Sequence, residues 1–396
     1  MILEVMNSIP KNKHSMSRYK YQNDSMYFAQ ISEEIKDLAA TELTQLGATN
    51  IMVTFRGIYF QADPSSLYRI HYLTKVISRI LAPLVSFPCK DTDTLYQKGK
   101  TIQWEDFFKP GTTFAITANV SNSQITHSKY AALCLKDAIV DYFREKTGTR
   151  PNVDTLDPDL QLNLHIRENK ADISLDTGGG PLHKRGYREE TVTAPMQETI
   201  AAAIIQHTRW NGDIPLVDPM CGSGTLLCEA LMHCCNIPPG IFRKKFGFES
   251  LPDFDRSLWI KTKKQADEKI QPLTRGLISG SDISEQAVQA SRTNLMGIPH
   301  GNQVIVEKND FRELPDLENR VIVTNPPYGI RMGTKINLDE LYKSLGDFLK
   351  QKCKGSTAYI YFGDRKFIKQ IGLKPSWKIP IKTGGLDGRL VKYEMY

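Results

Sequence analysis

The second half of the sequence alternates β-branched runs with helical patterns, and this alternation constrains the fold more than any other feature. Helical stretches such as SEQAVQASRTNLMG separate the runs PLVDP, LISGSDI, QVIVEKND, RVIVTNPPYG and STAYIYFGD. Strands that alternate with helices predict a mostly parallel, doubly wound sheet with ligands at the carboxyl ends of its strands. We therefore predict an α/β, Rossmann-like domain over residues 181–396.

The residues before this domain have different patterns of polar and apolar residues. Residues 1–25 are polar and aperiodic, which predicts a flexible tail. Apolar residues at helical spacing, followed by IMVTF, predict a small α+β segment over 26–83. The strand TTFAITANV, an amphipathic helix and the strands LQLNLHIRE and KADISLDTG predict a second α+β module over 84–180. The glycines at 178–180 then supply a hinge.

Composition excludes several classes of protein. No apolar run approaches the roughly 18 residues that span a bilayer, and the N-terminus lacks the apolar core of a secretory signal. Seven cysteines are an odd number, so we expect reduced thiols and a cytoplasmic location. Because no pair of C-x-x-C motifs is present, we expect no metal site. The net charge of +7 favours a polyanionic partner without deciding the matter.

A glycine turn and three acidic residues predict a nucleoside cofactor. In the segment DPMCGSGT, Gly222 and Gly224 allow positive φ and close backbone approach at the start of a helix. Asp282 ends the second strand of the predicted sheet, where its carboxylate can accept both hydroxyls of a ribose. Asp310 and Phe311 end the third strand, where a carboxylate can accept a hydrogen bond from an adenine amine and an aromatic or backbone group can sandwich the adenine ring.

A dinucleotide-dependent dehydrogenase is the competing interpretation of this topology. It requires a third glycine in G-x-G-x-x-G, but Leu227 occupies that position. Asp282 also lies far more than about twenty residues beyond the glycines. An insertion over 236–275 explains the spacing, and it contains Arg243, Lys244 and Lys245. These cations are either a nucleic-acid contact or a solvated basic face.

The segment VIVTNPPYG is the sharpest motif in the sequence. A planar base amine is a poor nucleophile because its lone pair is delocalised into the ring. The Asn325 side-chain oxygen and the Pro326 carbonyl can accept hydrogen bonds from the two N–H groups of the amine, while Tyr328 stacks on the base. Pro326 and Pro327 stop the strand and keep the loop rigid. The motif therefore predicts methyl transfer to an exocyclic amine, made easier by fixed orientation.

Other interpretations of this loop are weaker. A rigid turn without chemistry is the simplest one, but a Val/Ile strand and an upstream DPMCGSGT argue against it. A C5-pyrimidine methyltransferase needs a cysteine nucleophile on the loop, and none is present. A base inside a helix must be flipped out to reach such a pocket. The loop alone does not distinguish adenine N6 from guanine N2, or DNA from RNA.

Several motifs together resemble a known family. The segment LHKRGYR at 182–188, the residues APM at 194–196, DPMCGSGT and NPPYG resemble the THUMP-domain methyltransferases of bacterial large-subunit ribosomal RNA that make N2-methylguanosine. The resemblance runs from about residue 26 to the end of the chain and includes GGLDGRL. This combination is more specific than N-P-P-Y, which adenine-N6 DNA methylases share.

The resemblance implies a ferredoxin-like segment, a THUMP domain that binds RNA and a catalytic domain that uses S-adenosylmethionine (SAM). It implies that Asn325, Pro326, Pro327 and Tyr328 bind the target base. The implied cofactor-binding residues are Asp218, Cys221, Gly222, Gly224, Thr225, Asp282, Ile283, Asp310, Phe311, Ala194 and Pro195, the last two at the start of a helix. The candidate RNA contacts, with interdomain packing as the alternative role, are Lys184, Arg185, Arg188, Arg243, Lys244 and Lys245.

The function predicted from the sequence is therefore SAM-dependent methylation of RNA, at N2 of a guanine in 23S ribosomal RNA. Some members of the family carry a second methyltransferase domain, which we do not expect in this chain. An adenine-N6 DNA or RNA methyltransferase is one alternative. A non-catalytic RNA-binding or ribosome assembly factor is the other. The modified nucleotide, the exact RNA contacts and the oligomeric state are left open by the sequence.

Overall fold

The chain forms two compact units that do not follow its order. The computed structural model describes residues 18–190, 195–328, 337–382 and 386–396. The first unit comprises Met1–Tyr27 and Leu81–Leu175, and the second comprises Phe28–Ile80 and Asp176–Tyr396. Among the described residues, no helix is long and apolar enough to cross a membrane.

The described chain contains strands and α-helices with the following bounds. The strands are β1 (Met26–Gln30), β2 (Thr49–Thr54), β3 (Gly57–Gln61), β4 (Arg79–Pro88), β5 (Thr113–Ser121), β6 (Asn152–Val153), β7 (Leu160–Arg167), β8 (Lys170–Asp176), β9 (Leu216–Asp218), β10 (Ile278–Asp282), β11 (Ile305–Lys308), β12 (Val321–Thr324), β13 (Thr357–Phe362), β14 (Trp377–Pro380) and β15 (Arg389–Glu394). The α-helices are α1 (Lys20–Asp24), α2 (Lys36–Gln45), α3 (Pro64–Leu73), α4 (Thr92–Lys100), α5 (Ser128–Thr147), α6 (Glu198–Thr208), α7 (Thr225–Cys234), α8 (Arg256–Asp267), α9 (Glu285–Met296) and α10 (Leu338–Lys352).

The first unit is an α+β layer built on the strand order β4-β8-β7-β5-β6. β7 pairs in parallel with β5 and antiparallel with β8. Apolar side chains recur every second residue along β7, and Leu160, Leu162, Leu164 and Ile166 are buried. Helix α4 packs closely on α5, because a Cβ atom at Gly99 would lie 3.0 Å from the Cβ of Ala138.

The start of the first unit corrects the predicted flexible tail. The prediction assigned residues 1–25 to that tail, but Lys20–Asp24 form α1, and Tyr19 and Tyr21 are buried. The Tyr19 hydroxyl donates a hydrogen bond to Asp106 Oδ2 at 2.6 Å. Its ring contacts Phe107 with 4.8 Å between centroids. The two aromatic residues in this polar stretch are the signal that the prediction missed.

The second unit begins with a small element in which the strands run in the order β2-β3-β1. On its helix α3, Tyr68 packs on Phe248 with ring centroids 4.7 Å apart. Tyr72 contacts Trp259 with centroids 5.4 Å apart and donates a hydrogen bond to Asp267 Oδ1 at 2.6 Å. The predicted insertion over 236–275 therefore contributes to the core of this unit.

Arg243 in that insertion has a structural role. Its guanidinium donates a hydrogen bond to the Gly178 carbonyl at 3.0 Å and another to the Pro181 carbonyl. Burial lowers the pKa of Arg243 to about 10. The structure contradicts the prediction that Arg243 contacts nucleic acid, because its donors satisfy backbone carbonyls of the same unit.

The larger sheet of the second unit has the strand order β11-β10-β9-β12-β13-β15-β14. The neighbours from β11 to β13 are parallel, whereas β15 is antiparallel to both β13 and β14. All four residues of β12 are buried, as expected for a central strand covered on both faces. The predicted doubly wound, Rossmann-like architecture is confirmed.

The two stretches of chain that form the second unit meet where β4 begins and β8 ends. The Thr177 amide donates a hydrogen bond to the Ile80 carbonyl at 2.9 Å. Next to it, Arg79 forms an ion pair with the fully buried Asp176. The chain therefore leaves this unit after Ile80 and re-enters it at Asp176 at neighbouring points.

A buried ion pair joins the segment after the glycines at 178–180 to the rest of the second unit. Arg185 Nε lies 3.3 Å from Glu229 Oε1, and both side chains are only 1% exposed. The same guanidinium donates hydrogen bonds to the Leu182 carbonyl at 3.0 Å and to the Lys75 carbonyl. The prediction that Arg185 contacts RNA is therefore wrong, because its guanidinium bonds to residues inside the second unit.

We predict that Arg185→Met lowers the free energy of unfolding of the second unit by about 3–5 kcal/mol, because it leaves the Glu229 carboxylate buried without its cation. Urea unfolding followed by circular dichroism measures the change. Lys264→Met is the matched control, since it removes an exposed ion pair with Glu268. The control should change stability by less than about 1 kcal/mol. An Arg185→Met variant as stable as the control would contradict this account.

Candidate active site

Three parallel strands bring the predicted site residues to one edge of the sheet. Strand β9 lies between β10 and β12, with Val217 opposite Ser279 on one side and Ile322 on the other. Because the strands are parallel, their carboxyl ends lie at the same edge. The glycine turn follows β9, Asp282 ends β10 and Asn325 follows β12.

The glycine turn is attached to the end of β10. The Gly222 amide donates a hydrogen bond to Asp282 Oδ2 at 3.0 Å, and the Cys221 amide donates to the Ser281 carbonyl at 2.9 Å. Gly222 and Gly224 have φ values of 55° and 79°, in the left-handed region. A Cβ atom at Gly224 would lie 2.3 Å from Ser291 Oγ. Gly224 is thus required by packing against α9 as well as by its φ.

Asp282 and Ile283 form a surface suited to a nucleoside. Asp282 Oδ1 accepts a hydrogen bond from the Ser284 amide at 2.9 Å, and Ser284 in turn caps α9. A carboxylate has about four lone-pair sites, so Asp282 can still accept hydrogen bonds from two hydroxyls. Ile283 is 64% exposed, which is unusual for a large apolar side chain. A sugar on Asp282 and a flat ring on Ile283 fit these groups.

The residues after β11 divide into a polar and a core part. The Asn309 amide donates to the Asp282 carbonyl at 3.1 Å, so this segment adjoins the end of β10. Asp310 accepts a hydrogen bond from the Arg312 amide at 3.0 Å and pairs with the Arg312 guanidinium. The Phe311 ring is buried against Phe348, with 5.7 Å between centroids. The Phe311 ring does not sandwich adenine, because the ring belongs to the core, and the alternative of a backbone contact at this position stays a prediction.

Asp218 is buried beneath the glycine turn. Its carboxylate is 1% exposed and accepts a hydrogen bond from the Met220 amide at 3.1 Å. Burial raises the pKa of the Asp218 carboxyl to about 7, and the nearby Asp282 carboxylate acts in the same direction. Asp218 can therefore change its charge near neutral pH.

The Asn-Pro-Pro-Tyr loop carries an unpaired acceptor. Asn325 Oδ1 is buried and has no hydrogen-bond partner among the described residues. Leaving such a group unsatisfied costs about 1–3 kcal/mol. The Tyr342 hydroxyl donates to the Pro327 carbonyl at 3.3 Å, while the half-buried Tyr328 ring contacts Tyr361. The loop therefore carries a buried acceptor that no described residue satisfies.

Arg188 joins the start of α6 to the start of α7, next to the glycine turn. It donates hydrogen bonds to Glu198 Oε1 at 2.9 Å and to Thr225 Oγ1 at 3.1 Å. The structure contradicts the prediction that Arg188 contacts RNA, because its guanidinium points into the fold. The Thr225 hydroxyl is likewise engaged by Arg188, and buried Cys221 packs near Gly280, so both have structural roles in the turn.

Asn294 is a supporting residue that the sequence analysis missed. Its side chain is fully buried and accepts hydrogen bonds from the Glu189 and Glu190 amides at 2.9 and 3.0 Å. It donates to the Glu190 carbonyl at 2.9 Å and to the Ser223 carbonyl at 3.0 Å. An asparagine on the apolar face of α9 was the available signal, since a buried amide in a helix needs partners from elsewhere.

The remaining predicted site residues are exposed or lie outside the described residues. Lys184, Lys244 and Lys245 have exposed side chains. Ala194 lies outside the described residues. Pro195 is exposed and precedes α6, which begins only at Glu198. The helix that was predicted to open at residues 194 and 195 therefore starts later.

Family models match the chain in three consecutive segments. Residues 27–81 match the RlmL ferredoxin-like domain, and residues 89–176 match the THUMP domain. Residues 185–392 match the RMKL-like methyltransferase domain. The predicted family resemblance is thereby confirmed.

Curated relatives cover almost all of this chain. It is 38% identical to the "Putative RNA methyltransferase slr0064" of Synechocystis sp., over 93% of this chain and 97% of that protein. It is 36% identical to the "Ribosomal RNA large subunit methyltransferase K/L" of Photobacterium profundum, over 93% of this chain and 53% of that protein. The chain thus spans about half the length of the K/L relatives it matches.

Solved structures agree with the fold. SMU.472, described as "a putative methyltransferase complexed with SAH", has a TM-score of 0.81 and 27% identity, over 94% of this chain and 98% of that chain. A "predicted N6-adenine-specific DNA methylase" of Listeria monocytogenes has a TM-score of 0.79 and 25% identity, over 96% and 99% of the two chains. From the family match over residues 185–392 and the near full-length relative, this chain belongs to the RMKL-like methyltransferases that carry a THUMP domain.

Proposed function

We propose that this protein uses SAM to methylate an exocyclic base amine in RNA, and that the amine is N2 of a guanine in 23S ribosomal RNA. The observation that carries the proposal is the buried, unpaired Oδ1 of Asn325 at the end of β12. A base amine is the donor that would satisfy this oxygen. The ribosomal RNA methyltransferase name of the K/L relatives and the THUMP match support RNA as the substrate.

The donor set at the end of β9 and β10 fits SAM. When bound, SAM supplies an electrophilic methyl group on a sulfonium. We propose that Asp282 accepts hydrogen bonds from the ribose hydroxyls, and that Ile283 and Asp310 contact the adenine. Gly222 and Gly224 leave the turn open to the methionine part, close to the buried Asp218 carboxyl. Cys221 and Thr225 shape this turn, and Pro195 precedes the helix beside it.

The Asn-Pro-Pro-Tyr loop would bind the target base. Asn325 Oδ1 and the Pro326 carbonyl accept hydrogen bonds from the two N–H groups of the amine. This directs the lone pair of the nitrogen away from the base ring. Tyr328 stacks on the base, and Pro327 keeps the loop rigid. Fixing the amine in line with the methyl group lowers the barrier by orientation.

We propose that residues 26–83 form the ferredoxin-like segment, 84–180 the THUMP domain and 181–396 the methyltransferase domain. The exposed Lys184, Lys244 and Lys245 are the remaining candidates for contacts with RNA phosphates. Because bacterial ribosomal RNA is made in the cytoplasm, the proposal implies a cytoplasmic location.

Adenine-N6 methylation is the second candidate, favoured by the name of the Listeria structure and by the N-P-P-Y motif. Tritiated SAM with unmodified 23S ribosomal RNA transcript, adenine-rich DNA and nucleoside analysis of the products separates the two. We expect label in N2-methylguanosine. Label in N6-methyladenosine would support the second candidate. No transfer to any nucleic acid, with SAM still bound, would support a non-catalytic RNA-binding role.

We predict that Asn325→Ala lowers kcat for methyl transfer by about 100-fold or more, because the acceptor that orients the amine is lost. The SAM Kd, measured by calorimetry, should stay within about twofold of the wild-type value, since Asn325 acts on the amine. Asn302→Ala, on an exposed 3₁₀ turn, is the matched control. A collapse of SAM binding in Asn325→Ala would refute the assigned role.

We predict that Asp282→Asn raises the SAM Kd by about 10- to 100-fold, because charge-assisted hydrogen bonds to the ribose and to the Gly222 amide are weakened. Asp255→Asn is the control, since Asp255 caps the remote helix α8. Calorimetric titration with SAM compares the two variants. Equal affinities in both would argue against a ribose contact at Asp282.

We predict that SAM affinity increases between about pH 6 and pH 8, because Asp218, with its pKa of about 7, gains negative charge over this range. A carboxyl whose pKa is raised is neutral below that pKa, so it attracts the cationic sulfonium and ammonium only above it. Asp218→Asn should flatten the dependence. Titrations at three pH values in two buffers provide the test, and an affinity that falls with pH in the wild type would overturn it.

A further inference from the structure

Gly363 follows β13 and lies directly against the Tyr328 ring. A Cβ atom at Gly363 would be 2.4 Å from Tyr328 Cδ2 and 2.5 Å from both Cε2 and Cγ. Gly363 is not among the glycines with positive φ, so its backbone conformation is open to other residues. The ring, and not the backbone, is therefore what excludes a side chain at this position.

The neighbours of Tyr328 leave little freedom on its protein-facing side. Its ring contacts the buried Tyr361 ring, with 6.4 Å between centroids at 71°. Behind the loop, Tyr342 donates to the Pro327 carbonyl at 3.3 Å and stacks on Phe367 with 4.5 Å between centroids. A Cβ atom at Gly363 would thus push the Tyr328 ring outward, toward the space that a base would occupy.

We propose that Gly363 is a positioning residue that sets the depth of the target-base pocket by letting the Tyr328 ring lie on bare backbone. This inference rests on the proposed function, in which Tyr328 stacks on the base. A base on a displaced ring no longer presents its amine in line with the methyl donor. A misplacement of about 1 Å reduces transfer by about 100-fold.

A double-mutant cycle tests the inference, with 23S ribosomal RNA transcript and tritiated SAM as substrates. Gly363→Ala should lower kcat/KM for RNA by about 10- to 100-fold, with the SAM Kd unchanged within about twofold. Tyr328→Ala removes the ring, so adding Gly363→Ala to it should lower kcat/KM by no more than about threefold further. Gly297→Ala is the control, since a Cβ atom there would be 3.6 Å from its nearest neighbour.

Thermal unfolding provides a readout that does not depend on activity. If the clash is with the ring, Gly363→Ala lowers the melting temperature in the wild-type background, and Tyr328→Ala removes that loss. This rescue is informative even where Gly363→Ala alone fails to fold. A crystal structure of the single variant should also show the Tyr328 ring displaced.

Three outcomes would overturn the inference: full activity of Gly363→Ala, losses that multiply in the double variant, or a Tyr328 ring that stays in place. Failure of the proposed function has a different signature. In that case the wild-type protein transfers no methyl group to RNA, while the thermal cycle and the crystal structure still decide whether Gly363 positions Tyr328.

Discussion

The parallel pairing of β9 with β10 on one side and β12 on the other is the constraint on which the candidate site depends. It brings three loops that are distant in sequence to one edge of the sheet. The Gly222 amide then bonds to Asp282, which fixes the glycine turn against the neighbouring strand. Only β9 lies between the strands that end at Asp282 and Asn325. The proposed sites for the cofactor and the target amine are therefore close together.

Buried polar side chains hold this arrangement in place. Arg188 donates hydrogen bonds to Glu198 and Thr225, and Asn294 donates one to the Ser223 carbonyl. These bonds attach residues 188–190 and α9 to the glycine turn. Such satisfied networks stabilise a single geometry, whereas an unpaired polar group is costly. Asn325 Oδ1 lacks a partner among the described residues, as do other buried side-chain atoms such as Ser291 Oγ and Thr324 Oγ1. Its place on the Asn-Pro-Pro-Tyr loop, together with the missing partner, is therefore what supports it as a contact for the target base.

The sequence was sufficient for the alternation of strands and helices, the acidic residues at strand ends and the N-P-P-Y turn, because these are local patterns. It did not distinguish buried arginines from exposed ones. Arg188, Arg185 and Arg243 bond to Glu198, Glu229 and the Gly178 carbonyl, which lie 10, 44 and 65 residues away. An arginine that contacts RNA and an arginine in a buried ion pair look the same in a sequence, because the partner of the buried one is distant along the chain. The packing of Phe311 in the core was hidden for the same reason.

The path of the chain through the second unit also bears on how such proteins diversify. Because the Thr177 amide is hydrogen-bonded to the Ile80 carbonyl, the two ends of the segment 81–175 lie next to each other. The first unit also includes the chain up to Tyr27, so an exchange of this segment at two crossover points would have to keep partners for Tyr19, which bonds to Asp106. Such an exchange would replace the THUMP-matching part and leave β9, β10 and β12, with the loops that follow them, unchanged.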